Sequence, residues 1–329
     1  MTLNYVTGSL KYFTPNPLEE SFSWPRKLTG PRAVGGVSSP SKMPGFSFSL
    51  PAIVTCPIGA KLAQIPGTPC SGCYATKGRY QMPNVRDAAG RRYALAKQAA
   101  SDPYYGAQWI KAFELFLDSE RQRTVKKLHK LGKPSDESIR LYYAERAARA
   151  RCGAGALRII KGGAPIKETP KARAQAAAFS EALAAVEKLK HDDKPEARRV
   201  AAWVAHDNAS HFRWHDSGDL FSYEYLELIV RVAALTPQVR HWLPTQERAK
   251  IKRHIREHGP LPENLTVRIS SPRVDVHPMP KGDDLQASSV AIDGKGPGNT
   301  CPAYTRGGIC GPCRACWDSS VNLVTYPVH

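Results

Sequence analysis

The chain has 329 residues, enough for one large domain or two ordinary ones with a sizeable core. Hydrophobic residues make up 42% and charged residues 23%, which excludes a wholly disordered or collagen-like chain. No apolar run approaches the roughly 20 residues of a membrane helix, and the N-terminus lacks a signal-peptide pattern, so we expect a soluble cytoplasmic protein without a membrane partner. The net charge of +18 favours nucleic acid as a partner.

The first part of the chain combines an irregular arm with a cysteine loop. Residues 1–47 are rich in Pro, Gly and Ser and predict an irregular N-terminal arm. In the following part, residues 48–120, the run FSLPAIVTC predicts a short buried strand that is interrupted by Pro51 and ends at Cys56. A loop with Cys70 and Cys73 follows. Two helices are then predicted at about 84–100 and 104–131, the second starting at Asp102.

Residues 121–199 have a distinct composition, with 20 Lys and Arg against 9 Asp and Glu. This part therefore carries +11 of the net charge and is also rich in alanine. Phe179, Leu183, Val186 and Leu189 recur at helical spacing. The pattern predicts a basic helical insertion that binds a phosphate backbone, and an ordinary solvated helix surface is the alternative.

Residues 200–290 have the most regular pattern. Strands are predicted at 212–216, 240–245 and 265–271, with helices at 222–235 and 246–258 between them. Ser222 and Thr245 are the predicted N-caps. Strands that alternate with helices are typical of parallel βα units, so the fold class is α/β. We expect a partial or complete TIM-like barrel, with an open doubly wound sheet as the alternative.

Polar residues follow each of these strands, where parallel βα folds place their reacting groups. The candidates are His215, Asp216, Ser217 and Asp219 after the first strand, Thr245 and Gln246 after the second, and Ser270, Ser271, Arg273 and Asp275 after the third. We expect His215, Asp216 and Asp219 to be catalytic, since His215 titrates near neutrality and the carboxylates suit a polar substrate or the ribose and amine of a cofactor. Ser217, Thr245, Gln246, Ser270 and Arg273 are the predicted cofactor-binding residues. A helix-capping Asp219 and a buried, hydrogen-bonded His215 are the alternatives.

The C-terminal part, residues 291–329, contains four closely spaced cysteines. Cys301, Cys310, Cys313 and Cys316 form a C-x8-C-x2-C-x2-C array. Two consecutive C-x2-C steps are typical of a loop around a four-iron iron–sulfur cluster. Four thiolates also satisfy a tetrahedral zinc site, so zinc is the alternative.

Cys56, Cys70 and Cys73 form a second candidate metal site with three thiolates. On a four-iron cluster, three ligands leave one iron open for a substrate or cofactor. A fourth ligand from elsewhere, or a single metal site shared with the C-terminal cysteines, is equally compatible with the spacing. We therefore expect one or two clusters. Cys152, among Ala, Gly and Arg, is predicted to be a small buried residue.

Two resemblances follow from these motifs. A cysteine cluster ending in CYA, then WHDSGDLFS, then a closing C-x2-C-x2-C-W, resembles the phage gene-product-88 family over most of the chain outside the arm and the basic insertion. This resemblance implies a phage protein in the cytoplasm of its bacterial host. The three-cysteine loop after a first strand resembles the radical S-adenosylmethionine enzymes, with a longer spacer of thirteen residues between Cys56 and Cys70. That resemblance implies S-adenosylmethionine as a cofactor and the C-terminal cysteines as ligands of an auxiliary cluster.

The sequence therefore supports three functional hypotheses. The first is a radical S-adenosylmethionine-like iron–sulfur enzyme that modifies nucleic acid or a nucleotide. The second is a non-enzymatic, metal-stapled protein that binds nucleic acid through its basic insertion. The third is a zinc protein.

Overall fold

The computed structural model describes residues 34–152, 169–280 and 285–328. Most of the predicted N-terminal arm lies outside these residues. Within its described part, Ser38 and Ser47 form an antiparallel bridge.

The described helices agree closely with the hydrophobic periodicity. They are α1 (Pro57–Leu62), α2 (Pro83–Ser101), α3 (Pro103–Leu131), α4 (Asp136–Arg151), α5 (Pro170–Asp192), α6 (Lys194–Ala209), α7 (Tyr223–Leu235) and α8 (Arg248–His258). The predicted start at Asp102 is confirmed, because its carboxylate accepts a hydrogen bond from the Tyr104 N–H at 2.7 Å. Ser222 caps α7 in the same way, accepting from the Tyr225 N–H at 3.1 Å.

The described parts of the basic segment, residues 121–152 and 169–199, are mostly helical and continuous with the rest of the fold. Helix α3 passes through residue 121 and α6 passes through residue 199 without a break. The two helices also pack against each other. The basic helices are thus anchored to the same helical layer that covers the sheet.

Seven strands form one parallel sheet. They are β1 (Phe46–Phe48), β2 (His211–Trp214), β3 (Arg240–Thr245), β4 (Leu265–Ser270), β5 (Ala287–Ala291), β6 (Asn299–Thr300) and β7 (Leu323–Pro327). Their order is β1-β2-β3-β4-β5-β7-β6. The predicted α/β class with parallel βα units is confirmed. The described strands form an open sheet with β1 and β6 at its edges, and do not close into a complete barrel.

The first strand is shorter than the sequence predicts. It ends at Phe48, and the chain turns from Pro51 onward, with the Thr55 N–H bonded to the Pro51 carbonyl. Ile53 has a positive φ of 69° within this turn. The prediction that a strand ends at Cys56 is therefore wrong, because proline supplies no ladder N–H and the chain turns toward α1 instead.

The main hydrophobic core lies between one face of the sheet and the helices α2, α3 and α7. Aromatic rings dominate it: Trp109 and Phe113 of α3 have centroids 4.4 Å apart, and Phe212 and Trp214 of β2 have centroids 4.8 Å apart. Edge-to-face packing of this kind stabilises the core beyond the area it buries. Packing in this core fixes the carboxyl ends of β1 and β2, whose last residues are Phe48 and Trp214.

The opposite face of the sheet is concave. The rings of Trp242 on β3 and Tyr326 on β7 stack with centroids 6.5 Å apart. Two strands separate β3 from β7, and at a spacing of about 4.8 Å per strand their backbones lie about 14 Å apart. The side chains therefore converge across this face, where Trp317 of the C-terminal segment packs on Trp242 at 5.2 Å.

Candidate functional site

The three-cysteine loop lies at the carboxyl edge of the sheet. Cys56 immediately precedes α1, and Cys70 lies in a short 3₁₀ helix, Pro69–Gly72, that Cys73 follows. The Thr68 hydroxyl donates to the Leu62 carbonyl at 2.7 Å and turns the loop back on α1. A Cβ added at Gly59 would lie 3.6 Å from Sγ of Cys70 and 3.9 Å from Sγ of Cys56. Both sulfurs thus face one small space that only glycine leaves open.

These thiols are half-buried and electrostatically coupled. Burial raises the pKa of Cys56, and the neighbouring charges of Asp219, Cys73 and Cys70 raise it further. Burial likewise raises the pKa of Cys70 to about 12, with Cys73 and Asp219 adding to the effect. Burial raises the pKa of Cys73 against the opposing N–H groups of Ala75 and Thr76. Three thiolates can coexist here only if a cation compensates them, so the donor set fits a metal centre.

Asp219 joins the ends of two strands beside this loop. Its Oδ1 accepts from the Leu220 N–H at 2.7 Å and from the Thr245 hydroxyl, and its Oδ2 accepts from the Gln246 N–H at 2.9 Å. Burial raises the pKa of Asp219 to about 6, although these hydrogen bonds lower it. Since Ser222 caps α7, the alternative of a helix-capping Asp219 is not what the structure shows. Asp219 thus connects the turn after β2 to the end of β3 and lies near the thiols of Cys56 and Cys70.

Thr245 does not cap the helix that follows it. Helix α8 begins at Arg248, and Glu247 occupies the N-cap position without a side-chain capping bond. The Thr245 hydroxyl instead donates to Asp219 and accepts from the Glu247 N–H at 2.9 Å. The predicted N-cap is therefore wrong, because α8 begins only at Arg248 and Thr245 lies in β3, where its hydroxyl donates to the buried carboxylate of Asp219.

The sequence reasoning missed Glu247. This carboxylate is buried and accepts from the Ile58 N–H at 2.7 Å, in the first turn of α1. It also pairs with Lys250. Glu247 thus holds the helix next to Cys56 against the end of β3. Its position two residues after a predicted strand was the only signal available in the sequence.

His215 is a buried, hydrogen-bonded residue. It adopts a positive φ of 59°, and its Nε2 lies 3.2 Å from the Tyr225 hydroxyl. Burial, together with the smaller effect of the charge of Arg213, lowers the pKa of His215 to about 3. The ring thus occupies the buried, hydrogen-bonded position of the structural alternative, and its catalytic role stays a prediction.

Asp216 and Ser217 make contacts on the β1 side of the site. The Asp216 carboxylate accepts from the Ser49 hydroxyl and, at 3.3 Å, from the Tyr80 hydroxyl. The Ser217 hydroxyl donates to the Leu50 carbonyl at 2.8 Å. Both residues attach the turn after β2 to the chain after β1, and neither contact is directed at the thiols.

The end of β4 closes the site on its other side. Gln246 donates from Nε2 to the Ser271 carbonyl at 3.3 Å. The Val274 N–H donates to the Gly67 carbonyl at 3.0 Å, which attaches the cysteine loop to this strand end. Ser270 accepts from Ser288 of β5 at 3.3 Å, and Arg273 is exposed. Of the predicted cofactor-binding residues, the structure brings Thr245 and Gln246 to Asp219. Asp275 instead accepts from the Ile292 N–H.

The four C-terminal cysteines form a second group on the concave face. Burial raises the pKa of Cys310 to about 12, and the nearby thiols of Cys316, Cys301 and Cys313 contribute. Burial also raises the pKa of Cys316 to about 11, against a hydrogen bond with the Tyr326 hydroxyl, which lies 3.1 Å from Sγ. The structure therefore brings all four predicted ligands into one group of half-buried thiols.

Arg268 holds this segment in place. Its guanidinium is fully buried in β4 and donates to five backbone carbonyls, those of Ala287, Ala315, Cys316, Asp318 and Val321. Trp317 adds a bond from Nε1 to the Phe212 carbonyl at 2.9 Å. A guanidinium suits such a set of convergent carbonyls, because it is planar, always charged and carries five N–H donors.

Arg213 of β2 lies on the same face of the sheet as Trp242. Its guanidinium packs 4.5 Å from the centre of the Trp242 ring. Burial lowers its pKa, but Tyr74, Asp216, Tyr80 and Tyr326 raise it by more, so that the group is a permanent cation. Its charge also lowers the pKa of Cys316. Arg268 and Arg213 thus both favour the thiolate form of Cys316.

The described helices include none that is both long and apolar enough to cross a membrane. A family model described as Gene product 88 matches residues 23–151 and 167–319. The match includes most of the basic segment, which the sequence resemblance had placed outside the family. No curated protein and no solved structure matches the chain.

Proposed function

The chain belongs to the gene product 88 family, and we propose that it is an iron–sulfur enzyme of radical S-adenosylmethionine-like type. The observation that carries this proposal is the group of three half-buried thiols beside Asp219 at the carboxyl ends of parallel strands. Cofactor and substrate sites of α/β folds occur at this edge. The phage family is compatible with this activity and does not itself specify a reaction.

Cys56, Cys70 and Cys73 would hold a four-iron cluster with one open iron. Such a cluster, when bound, supplies one electron to the ligand at that iron. Asp219 is a buried carboxylate whose raised pKa reflects uncompensated burial. A cationic amine would compensate it, so Asp219 would bind the amino group of S-adenosylmethionine. Glu247, through the Ile58 N–H, keeps the helix beside Cys56 in position.

The spacing of the sulfurs supports a cluster over a single zinc ion. Across the described residues, which include all eight cysteines, no three cysteine sulfurs lie within 4.8 Å of one another. Four thiolates on one zinc ion, each at about 2.3 Å, would lie about 4 Å apart. A four-iron cube binds each thiolate through a different iron and therefore needs a wider arrangement.

The direct test is the response of the anaerobically reduced protein to S-adenosylmethionine. We expect the cofactor to change the electron paramagnetic resonance spectrum of the wild-type protein and not that of Cys70→Ala. Cys152→Ala is the matched control, because Cys152 is half-buried with its Sγ 3.6 Å from the Gln175 carbonyl, outside both thiol groups. An iron-loaded wild-type protein with an unchanged spectrum would refute the proposal.

The proposed substrate class is nucleic acid or a nucleotide, and a non-enzymatic nucleic-acid-binding protein is the second candidate. Both depend on the exposed lysines of α3, namely Lys126, Lys127 and Lys130. Each phosphate that a lysine neutralises releases a counterion, so affinity should fall steeply with salt. Reversal of all three charges should reduce the slope of log affinity against log salt by about 3. Lys252→Glu with Lys295→Glu, at exposed sites outside the basic segment, is the charge control.

Binding without any response to S-adenosylmethionine would favour the non-enzymatic candidate. The absence of binding at low salt would remove nucleic acid from both candidates. Loss of binding in the charge control as well would show a non-specific effect of net charge.

A further inference from the structure

We propose that Glu227, His254 and His258 form a binding site for a divalent transition-metal ion such as Zn²⁺. This site lies on helices α7 and α8, and its residues belong to neither thiol group. Each residue offers one ligand atom, and the three atoms lie within 4.8 Å of one another. Two imidazoles and a carboxylate are a ligand set of catalytic and regulatory zinc sites.

The helical spacing creates this arrangement. His254 and His258 are four residues apart on α8 and so lie on the same face of that helix. Their rings have centroids 5.2 Å apart. Glu227 projects from α7, with its Oε1 2.5 Å from Nδ1 of His254 and its Oε2 3.6 Å from Nε2 of His258. Ligand atoms at about 2.0–2.2 Å from one zinc ion lie a little over 3 Å apart, which these two separations bracket.

A hydrogen-bonded carboxylate and a network of neighbours orient the ligands. The Tyr223 hydroxyl interacts with both Glu227 and Glu257, while Arg253 stacks 3.8 Å over the Tyr223 ring and pairs with Glu257. The guanidinium of Arg253 thus pairs with Glu257, while the carboxylate oxygens of Glu227 contact His254 and His258. Supporting groups of this kind raise the affinity of metal sites.

The exposure of the ligands indicates how an ion would enter, and their atoms indicate which ion they prefer. His254 is 4% exposed, whereas the side chain of His258 is 53% exposed. An ion would therefore enter from solvent and keep a coordination position for water. Imidazole nitrogens select Zn²⁺, Co²⁺, Ni²⁺ or Cu²⁺ over Mg²⁺ and Ca²⁺, which prefer oxygen ligands. Helix α7 follows the turn that contains Asp219, and α8 follows β3, which ends at Thr245. The ion would therefore fix these two helices relative to each other.

The test is a Zn²⁺ titration of the anaerobically purified full chain with its cysteine sites filled as isolated. We expect wild-type protein to bind one more Zn²⁺ per chain than His258→Gln, or to bind it at least about tenfold more tightly. Glu227→Gln should behave like His258→Gln. His191→Gln, which removes an exposed imidazole of α5 outside the site, should bind Zn²⁺ like the wild type.

The same ion should raise the melting temperature of the wild type and not that of His258→Gln, since only binding to the folded state stabilises it. Equal stoichiometry and affinity in the wild type and both ligand variants would overturn the proposal. If Glu227→Gln fails to fold, anomalous scattering at the zinc edge from wild-type crystals decides. A peak between Glu227, His254 and His258 supports the site, and zinc peaks only at the cysteines overturn it.

Discussion

The carboxylate of Asp219 accepts the hydroxyl hydrogen of Thr245 at 2.5 Å. This bond joins the turn after β2 to the end of β3. The Gln246 N–H adds a second link across the same gap at 2.9 Å. Because the charge of Asp219 also raises the pKa of Cys56 and Cys70, the residue connects the strand ends to the three-thiol group. Replacing Asp219 therefore distinguishes a role in stability from a role in cofactor binding.

Asp219→Asn should abolish the response to S-adenosylmethionine and change the stability little. The amide retains an acceptor for Thr245 but loses the one for the Gln246 N–H, so we expect a change within about 1 kcal/mol at pH 7.5. The raised pKa means that the wild type loses stability as the pH rises from about 4 through about 6. The variant should lack that loss. Chemical denaturation at several pH values and cofactor binding measure both effects.

The control for this prediction is Ser222→Ala. Loss of the α7 cap should cost about 1 kcal/mol and leave cofactor binding intact. If Asp219→Asn instead lowered stability and bound the cofactor normally, its role would be structural.

Gly59→Val should remove the iron of the first site. A Cβ at this position would lie 3.0 Å from Cβ of Cys56, and the added methyl groups would enter the space that both sulfurs face. Gly72→Val is the matched control in the same loop, since a Cβ there meets nothing within 4 Å. Iron analysis after desalting should show about half of the iron lost in the first variant and none in the second. Equal iron in both would mean that the cluster does not occupy this space.

Glu196 should contribute stability that is lost in acid. Burial tends to raise its pKa, but hydrogen bonds from Arg199 and from the Ser135 N–H lower it by more, to about 2. A depressed pKa stabilises the fold above the unfolded value of about 4.3, and this contribution disappears as the pH falls toward 2.

Glu196→Gln should therefore cost about 2 kcal/mol at pH 7 and only about 0.5 kcal/mol at pH 2.5. Urea denaturation at the two pH values measures the difference. Glu187→Gln, at an exposed position of the neighbouring helix α5, should have no such effect. A constant cost across the pH range would contradict the assignment.

Arg268→Met should destabilise the protein by about 3–5 kcal/mol, because it leaves buried carbonyls without their donor. The C-terminal segment depends on these bonds, so iron at the second site should fall as well. Arg240→Met, at the exposed start of β3, should change stability by less than about 0.5 kcal/mol. An iron content equal to that of the wild type would show that Arg268 is not needed to hold the four cysteines.

Much of the fold follows from local patterns. The apolar spacing and the serine at position 222 predicted α7 with its cap, and Asp102 before a proline predicted the start of α3. These features depend on neighbours in sequence, so a single chain reveals them. The grouping of each cysteine set was predictable for the same reason.

Other features depend on distant parts of the chain. An arginine within a strand is typical of a surface position, yet Arg268 is buried because the C-terminal segment brings its carbonyls to it. Thr245 lies shortly before a helix, as N-caps do, but its hydroxyl donates a hydrogen bond to Asp219, and α8 begins only at Arg248. Neither partner is close in sequence, so periodicity and spacing could not predict these contacts.

The most direct test of the central claim is iron, sulfide and zinc analysis of anaerobically purified protein, with Cys70→Ala and Cys313→Ala alongside the wild type. Two four-iron clusters predict about eight irons and as many sulfides per chain. Each variant should then lose about half of the iron, from a different site. Four irons lost together in both variants, or stoichiometric zinc without sulfide in the wild type, would contradict two separate iron–sulfur sites.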